Sequence, residues 1–312
     1  MPDLRTLLQE GLAGRYSLDR ELGRGGMATV FLAHDQKHDR SVALKVLHPE
    51  LAAALGAARF LRQIRISAHL QHPHILTLID SGEIPPPGGS GPALLYYVMP
   101  YVEGESLRQR LTRDHTIPPG ETVRMLQNVL DALAHAHRQG IVHRDIKPEN
   151  IMLTGRHALV MDFGIAKAAT AAAASDSTGG GTLTTLGLAI GTPAYMAPEQ
   201  AAGQASVDAR ADLYAVGVVG YEMLSGQPPF TGPTPQAILA AQVTRTPPPL
   251  GPLRPDVAAP FAAAIMRCLA KDPTDRWQSA EELLGALEAF ATPGSGTTAP
   301  RAAVTATPGR RA

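Results

Sequence analysis

The octapeptide His143-Arg144-Asp145-Ile146-Lys147-Pro148-Glu149-Asn150 decides the reading of this chain. Asp145 can accept a proton from a hydroxyl. Lys147, two residues on, can reach the same centre and hold negative charge there. Asn150 offers a carbonyl oxygen, a donor that suits a hard cation such as Mg²⁺. Twelve residues later, Asp162-Phe163-Gly164 brings a second oxygen ligand on a turn. A base, a charge clamp and two Mg²⁺ ligands are what transfer of a phosphoryl group to a hydroxyl requires. The bland alternative is a charged surface loop, and an eight-residue pattern followed by D-F-G is too specific for it.

Composition bounds the rest. The chain has 312 residues and a net charge of zero. It is long enough for one large or two moderate domains with a sizeable core. The charge balance argues against a polyanion-binding surface, so no nucleic-acid partner is expected. Cys268 is the only cysteine, which excludes an intrachain disulfide and implies a reducing compartment, the cytoplasm. No signal-peptide core and no membrane span are visible.

Upstream of the octapeptide, Tyr16 to Ala33 reads as strand, turn and strand. The turn, Leu22-Gly23-Arg24-Gly25-Gly26-Met27-Ala28-Thr29-Val30, lets a backbone approach phosphates closely. A lone glycine pattern is weak, and its third glycine is replaced here by Ala28. The rival, a dinucleotide-binding turn, needs a helix next. Thr29-Val30-Phe31-Leu32 is instead a strand signature. The following strand carries Lys45 within Val42-Ala43-Leu44-Lys45-Val46. A lysine among apolar neighbours needs an anion or must snorkel off an edge. Residues 51–71 read as a helix with Phe60, Leu61, Ile64, Ala68 and Leu70 largely on one side. Ile75–Ile79 and Ala93–Met99 read as strands. Helices are expected over 106–111, 121–139, 212–224, 235–243, 260–269 and 279–291.

His143 to Asn150 resembles the catalytic loop of the protein kinases in its serine/threonine form, H-R-D-x-K-x-x-N. The glycine turn, VALK, D-F-G, and Gly191-Thr192-Pro193-Ala194-Tyr195-Met196-Ala197-Pro198-Glu199 follow in that family's order. The resemblance covers residues 16–290 and identifies a bacterial eukaryotic-like (Hanks-type) serine/threonine protein kinase. It implies an α+β, two-lobed protein-kinase fold. The N-lobe, about 16–99, would be an antiparallel sheet with one helix. A hinge at 100–104 would join it to a mostly helical C-lobe, 105–290. Residues 1–15 are a short amphipathic lead, and 291–312 a Thr/Ala/Pro/Gly/Arg tail expected to be disordered, leaving a soluble kinase core.

By that resemblance the cofactors are ATP and Mg²⁺. Asp145, Lys147 and Lys45 would be catalytic, and Asn150 and Asp162 the metal ligands. Leu22, Gly23, Arg24, Gly25, Gly26, Val30, Ala43, Lys45, Met99 as gatekeeper, Pro100, Val102 and Met152 would surround the nucleotide. Glu199 would pair with Arg276, and Asp212 would tie down the catalytic-loop backbone. Thr192 would bond near Asp145 and Lys147. The Ala/Gly/Thr/Ser run of 165–190 occupies the activation-loop position, with Thr178, Thr182, Thr184 and Thr185 as candidate phosphosites. Arg144, beside the base, would receive a phosphothreonine. A spacer with incidental threonines is the other reading of that run.

One departure stands out. The family's helix glutamate, partner of the strand lysine, is Gln63 here, and no Asp or Glu occurs from Leu51 to Ile79. Gln63 can accept a hydrogen bond from Lys45 but brings no charge, a loss of about a few kcal/mol for a partly buried cation. A weaker active conformation is the expectation. Two other function classes stay open: a nucleotide-binding pseudokinase scaffold, and a small-molecule kinase of related fold. The expected partners are proteins bearing Ser/Thr hydroxyls and, by family resemblance, transient kinase–kinase dimers that phosphorylate each other's loops.

Overall fold

Apolar and β-branched residues build three antiparallel strands first: β1 (Tyr16–Arg24), β2 (Ala28–Asp35) and β3 (Arg40–Leu47), the last buried on both faces. The structure is a computed structural model, and it describes residues 4–86, 91, 93–163, 193–204 and 206–291. Helix α1 (Leu4–Gly11) precedes β1; α2 (Pro49–Leu55) and α3 (Ala57–Ala68) follow β3. Strands β4 (Asp80–Ile84) and β5 (Leu94–Pro100) complete a five-stranded antiparallel sheet of order β1-β2-β3-β5-β4.

The second lobe opens with β6 (Glu105–Ser106), α4 (Leu107–Asp114) and α5 (Pro119–Arg138). The hairpin β7 (Ile151–Thr154) and β8 (His157–Val160) pairs with β6. Then come α6 (Pro198–Ala201), α7 (Arg210–Ser225), α8 (Pro235–Thr244), α9 (Leu250–Leu253), α10 (Ala259–Cys268) and α11 (Ala280–Ala291). Among the described residues no helix is long and apolar enough to cross a membrane.

The N-lobe departs from the expected single helix. The 51–71 helix is two helices, broken at Gly56, whose φ of 71° lies in the left-handed region that glycine tolerates. The amphipathic lead is part of the fold. Leu8 and Leu12 of the α1 segment are buried with Tyr16, Phe31, Leu44 and Val98 on one sheet face. The opposite face packs Phe60 and Ile64 of α3 against Ala43, Tyr97 and Met99. The expected strand at Ile75–Ile79 is instead an extended connection. Leu76 N donates to Val160 O and Ile79 N to Val98 O, so this segment stitches the β7–β8 hairpin to the sheet. The paired strand begins only at Asp80.

The C-lobe core surrounds α7, buried from Ala211 to Leu224. An α-helix apolar on every side belongs at the centre of its lobe. It packs on α5 and α10, and Gly226, at φ 85°, caps it by donating to Glu222 O. This lobe is the platform that carries the octapeptide His143 to Asn150.

Candidate active site

His143 is fully buried and sets the loop's backbone. Its Nδ1 accepts from Asp145 N (3.2 Å), so Nε2 carries the proton and donates to Met161 O (2.7 Å). The ring also meets Phe163 edge-on at 4.6 Å. Beneath it, Asp212 of α7 accepts from His143 N (2.8 Å), Arg144 N (2.7 Å) and His137 Nε2 (2.8 Å). Burial pushes the Asp212 carboxyl up, but these donors, His137 first, outweigh it and leave the group below its ordinary range. Two backbone amides of the loop thus end on one buried carboxylate, which stabilises the left-handed Arg144 (φ 69°).

Asp145 then stands between two donors. Lys147 Nζ lies 2.7 Å from its Oδ2 and Asn150 Nδ2 3.0 Å from the same atom. Asn150 Nδ2 also donates to Asp145 O at 2.8 Å. With its nitrogen so engaged, Asn150 has its carbonyl oxygen left for another partner. Met161 N donates to Asn150 O, so the β7–β8 hairpin sets Asn150 beside Asp162. Asp162 is itself left-handed, at φ 63°. An amide oxygen and one carboxylate, with phosphate oxygens and water to complete the shell, fit Mg²⁺, which takes few protein ligands. Among the described residues no group of three or more His, Cys, Asp or Glu side chains could hold a metal by itself.

The N-lobe side of the cleft comes from the sheet. Lys45 Nζ is 2.5 Å from Asp162 Oδ2, and Tyr97 Oη donates to Asp162 Oδ1 at 2.5 Å. Burial raises the Asp162 pKa, but the charge and hydrogen bond of Lys45 and the Tyr97 hydroxyl outweigh it, for a net depression. The Lys45 amine is turned to Asp162, and among the described residues it makes no hydrogen bond to Gln63, although Gln63 could accept one. Gln63 is half-buried on α3, and the bond α3 makes to this region is Ser67 Oγ to Phe163 O, 2.6 Å.

Leu22 and Val30 pack with Ala43 and Met99 on one sheet face. Ala43 and Met99 are cross-strand partners, and Met152 lies on β7, paired with Leu159. Pro100 closes β5, and Val102 follows it, half-buried. In the glycine turn, Gly25 N donates to Ala28 O (2.9 Å), while Gly23 pairs with Val30 and Arg24 with Thr29. Gly23, Gly25 and Gly26 are not left-handed, and a Cβ on Gly23 or Gly26 would meet nothing within 4 Å. Their contribution is open space over the turn, not an unusual φ.

Glu199 and Arg276 form a buried bidentate pair, 2.8 and 2.7 Å, and Arg276 also donates to Ala270 O and Lys271 O. Arg144 Nη2 donates to Val207 O, while its buried Nε has no partner among the described residues. Thr178, Thr182, Thr184, Thr185 and Thr192 lie outside the described residues. Sequence reasoning missed Tyr97, Ser67 and Gln200, whose Nε2 holds Arg144 O at 3.1 Å. It also missed the cluster of Arg108 with Glu149, Glu222 and Tyr195. A tyrosine inside Leu94-Leu95-Tyr96-Tyr97-Val98-Met99 was the visible signal for the first, since a hydroxyl on an apolar strand needs a partner.

Comparison with known proteins agrees with this geometry. Residues 16–286 match the protein kinase domain family. The chain is 43% identical over 280 residues to a probable serine/threonine-protein kinase of Streptomyces coelicolor, covering 89% of this chain and 40% of that protein. It is 41% identical over 274 residues to the serine/threonine-protein kinase PknB of Mycolicibacterium smegmatis, covering 87% and 42%. The chain thus spans about two fifths of the length of these relatives. The crystal structure of the Mycobacterium tuberculosis PknI kinase domain superposes with a TM-score of 0.68 at 32% identity, over 93% of this chain and all of that one. A family match over most of the chain makes this chain a member of the protein kinase domain family.

Proposed function

We propose that this chain moves the γ-phosphoryl group of ATP to serine or threonine hydroxyls of proteins through Asp145, Lys147, Lys45, Asn150 and Asp162. The observation that carries these roles is the placement of Asp145 Oδ2 between Lys147 Nζ and Asn150 Nδ2. Asp145 orients the incoming hydroxyl and takes its proton. Lys147 exchanges its contact with Asp145 for the negative charge of the group in transfer. Lys45 and the amides of the Gly23–Gly26 turn position the phosphates, and the Leu22, Val30, Ala43, Met99 and Met152 side chains enclose the adenine. The backbone of Pro100 and Val102 faces its polar edge. Asn150 and Asp162 would hold Mg²⁺, which supplies charge neutralisation at the phosphates when bound.

Arg144 Nε, buried and without a partner among the described residues, supports a loop phosphothreonine as a counter-charge, with Thr178, Thr182, Thr184 and Thr185 as acceptors. Thr192 would bond near Asp145 and Lys147. The reading extends to cytoplasmic protein substrates and to transient dimers that phosphorylate one another. The test is site-mapped autophosphorylation with Mg·ATP. Asp145→Asn should lower incorporation by about 10²–10⁴-fold with an unchanged melting temperature. A wild type that binds Mg·ATP yet incorporates nothing would make the chain a scaffold instead.

A further inference from the structure

We infer that the Tyr97 hydroxyl is the positioning group for the Asp162 carboxylate, replacing in this chain the support that a carboxylate on α3 would give through Lys45. The inference rests on the roles proposed above for Asp162 and Lys45.

Asp162 needs support. It follows β8 in no regular element, in a left-handed conformation, with its side chain 11% exposed. The two groups on its oxygens come from adjacent strands, because Lys45 of β3 and Tyr97 of β5 are cross-strand partners. Lys45 cannot serve the acid alone. It is the cation that the ATP phosphates also draw on, and with Gln63 in place of an acid nothing on α3 holds it by charge. Tyr97 is free of that competition. Its ring has no exposed surface and packs near Phe60 of α3 at 6.3 Å, so the hydroxyl is fixed by the core. Phenylalanine would fill the same space. A hydroxyl so deep is costly unless bonded, and its one bond among the described residues is to Asp162 Oδ1. As a neutral donor, it holds Oδ1 without opposing a cation at Oδ2. When Lys45 turns to the phosphates, Tyr97 still fixes which oxygen Asp162 presents. The site is thereby braced from the sheet, while α3 touches it through Ser67 and the Phe163 backbone.

The experiment measures ATP affinity by calorimetry, with Mg²⁺ and with EDTA, in wild type, Tyr97→Phe, Asp162→Asn and the double variant, together with the melting temperature of each. Tyr97→Phe should reduce the Mg²⁺-dependent gain in affinity about tenfold while ATP binding in EDTA stays within twofold. In the Asp162→Asn background the same substitution should change nothing further, since coupled neighbours are not additive. An unchanged Mg²⁺ gain in Tyr97→Phe overturns the inference. So does an equal loss with and without metal, which would make Tyr97 a packing residue only. Failure of the kinase reading is distinguishable: a wild type with a Mg²⁺ gain but no phosphoryl transfer sinks that reading and leaves this one standing. A wild type without any Mg²⁺ gain sinks both.

Discussion

Asp212 shows how much one buried carboxylate can organise. It is 1% exposed, it collects two backbone amides and His137, and through them it fixes the turn that presents Asp145. Its pKa lies below the ordinary 3.8. The unfolded chain therefore takes up the proton first as pH falls. The stability Asp212 contributes is complete above about pH 4 and is lost as pH drops through its folded value. Urea unfolding between pH 7 and pH 3 should show a steeper loss of stability in wild type than in Asp212→Asn. Equal slopes would mean that the buried donors do not favour the ionised form. Of the residues at this scale, Asp145, Lys147, Asn150 and Asp162 were legible because their chemistry is written in one short stretch and one turn. Tyr97 was not. Its role depends on a register between β3 and β5 and on a turn 65 residues away.

At the scale of elements, α3 is the departure from the family. It packs as a helix of its kind should, with Phe60 and Ile64 buried against the sheet. Its contribution to the site is a hydroxyl from Ser67, not an acid for Lys45. Restoring that acid with Gln63→Glu should give Lys45 a second anion. The pair would be half-buried, and about 1 kcal/mol of added support corresponds to roughly a fivefold faster autophosphorylation. A rate at or below wild type would show that the Lys45–Asp162–Tyr97 arrangement already suffices. The sequence placed the helix and its apolar side by periodicity. It did not place the break at Gly56, nor the start of β4 at Asp80. Ile75–Ile79 is apolar and β-branched enough for a strand, but its amide donors go partly to β8 of the other lobe. Backbone pairing, not composition, decides that boundary.

The whole molecule is held together by contacts between distant segments. Glu199, on α6 at the end of the segment that follows the activation-loop position, meets Arg276 across 77 residues, and Arg276 has no exposed surface. Removing one partner leaves the other charge buried and alone. Glu199→Ala should therefore cost about 3–5 kcal/mol, visible as a melting temperature lower by roughly 10 °C. A shift of only a degree or two would mean that the three backbone carbonyls around Arg276, those of Ala270, Lys271 and Arg210, can satisfy it without the acid. In the other lobe, Leu8 of α1 and Leu12 just after it seal a sheet face, so this segment belongs to the N-lobe core.

The sequence by itself determined the order of the motifs and pointed to the acids and lysines proposed for the reaction, because each motif needs particular residue types at fixed short spacing. Asp212 and the Glu199–Arg276 pair were reachable only through the family resemblance, since no local pattern selects Arg276 among the arginines of the chain. Tertiary structure alone decided which partner Lys45 takes, that Tyr97 reaches Asp162, and that α1 is part of the core. These depend on strand register and on side-chain direction across the cleft. A one-residue slip in register turns every side chain of a strand to the other face, and no local pattern in the chain encodes that choice.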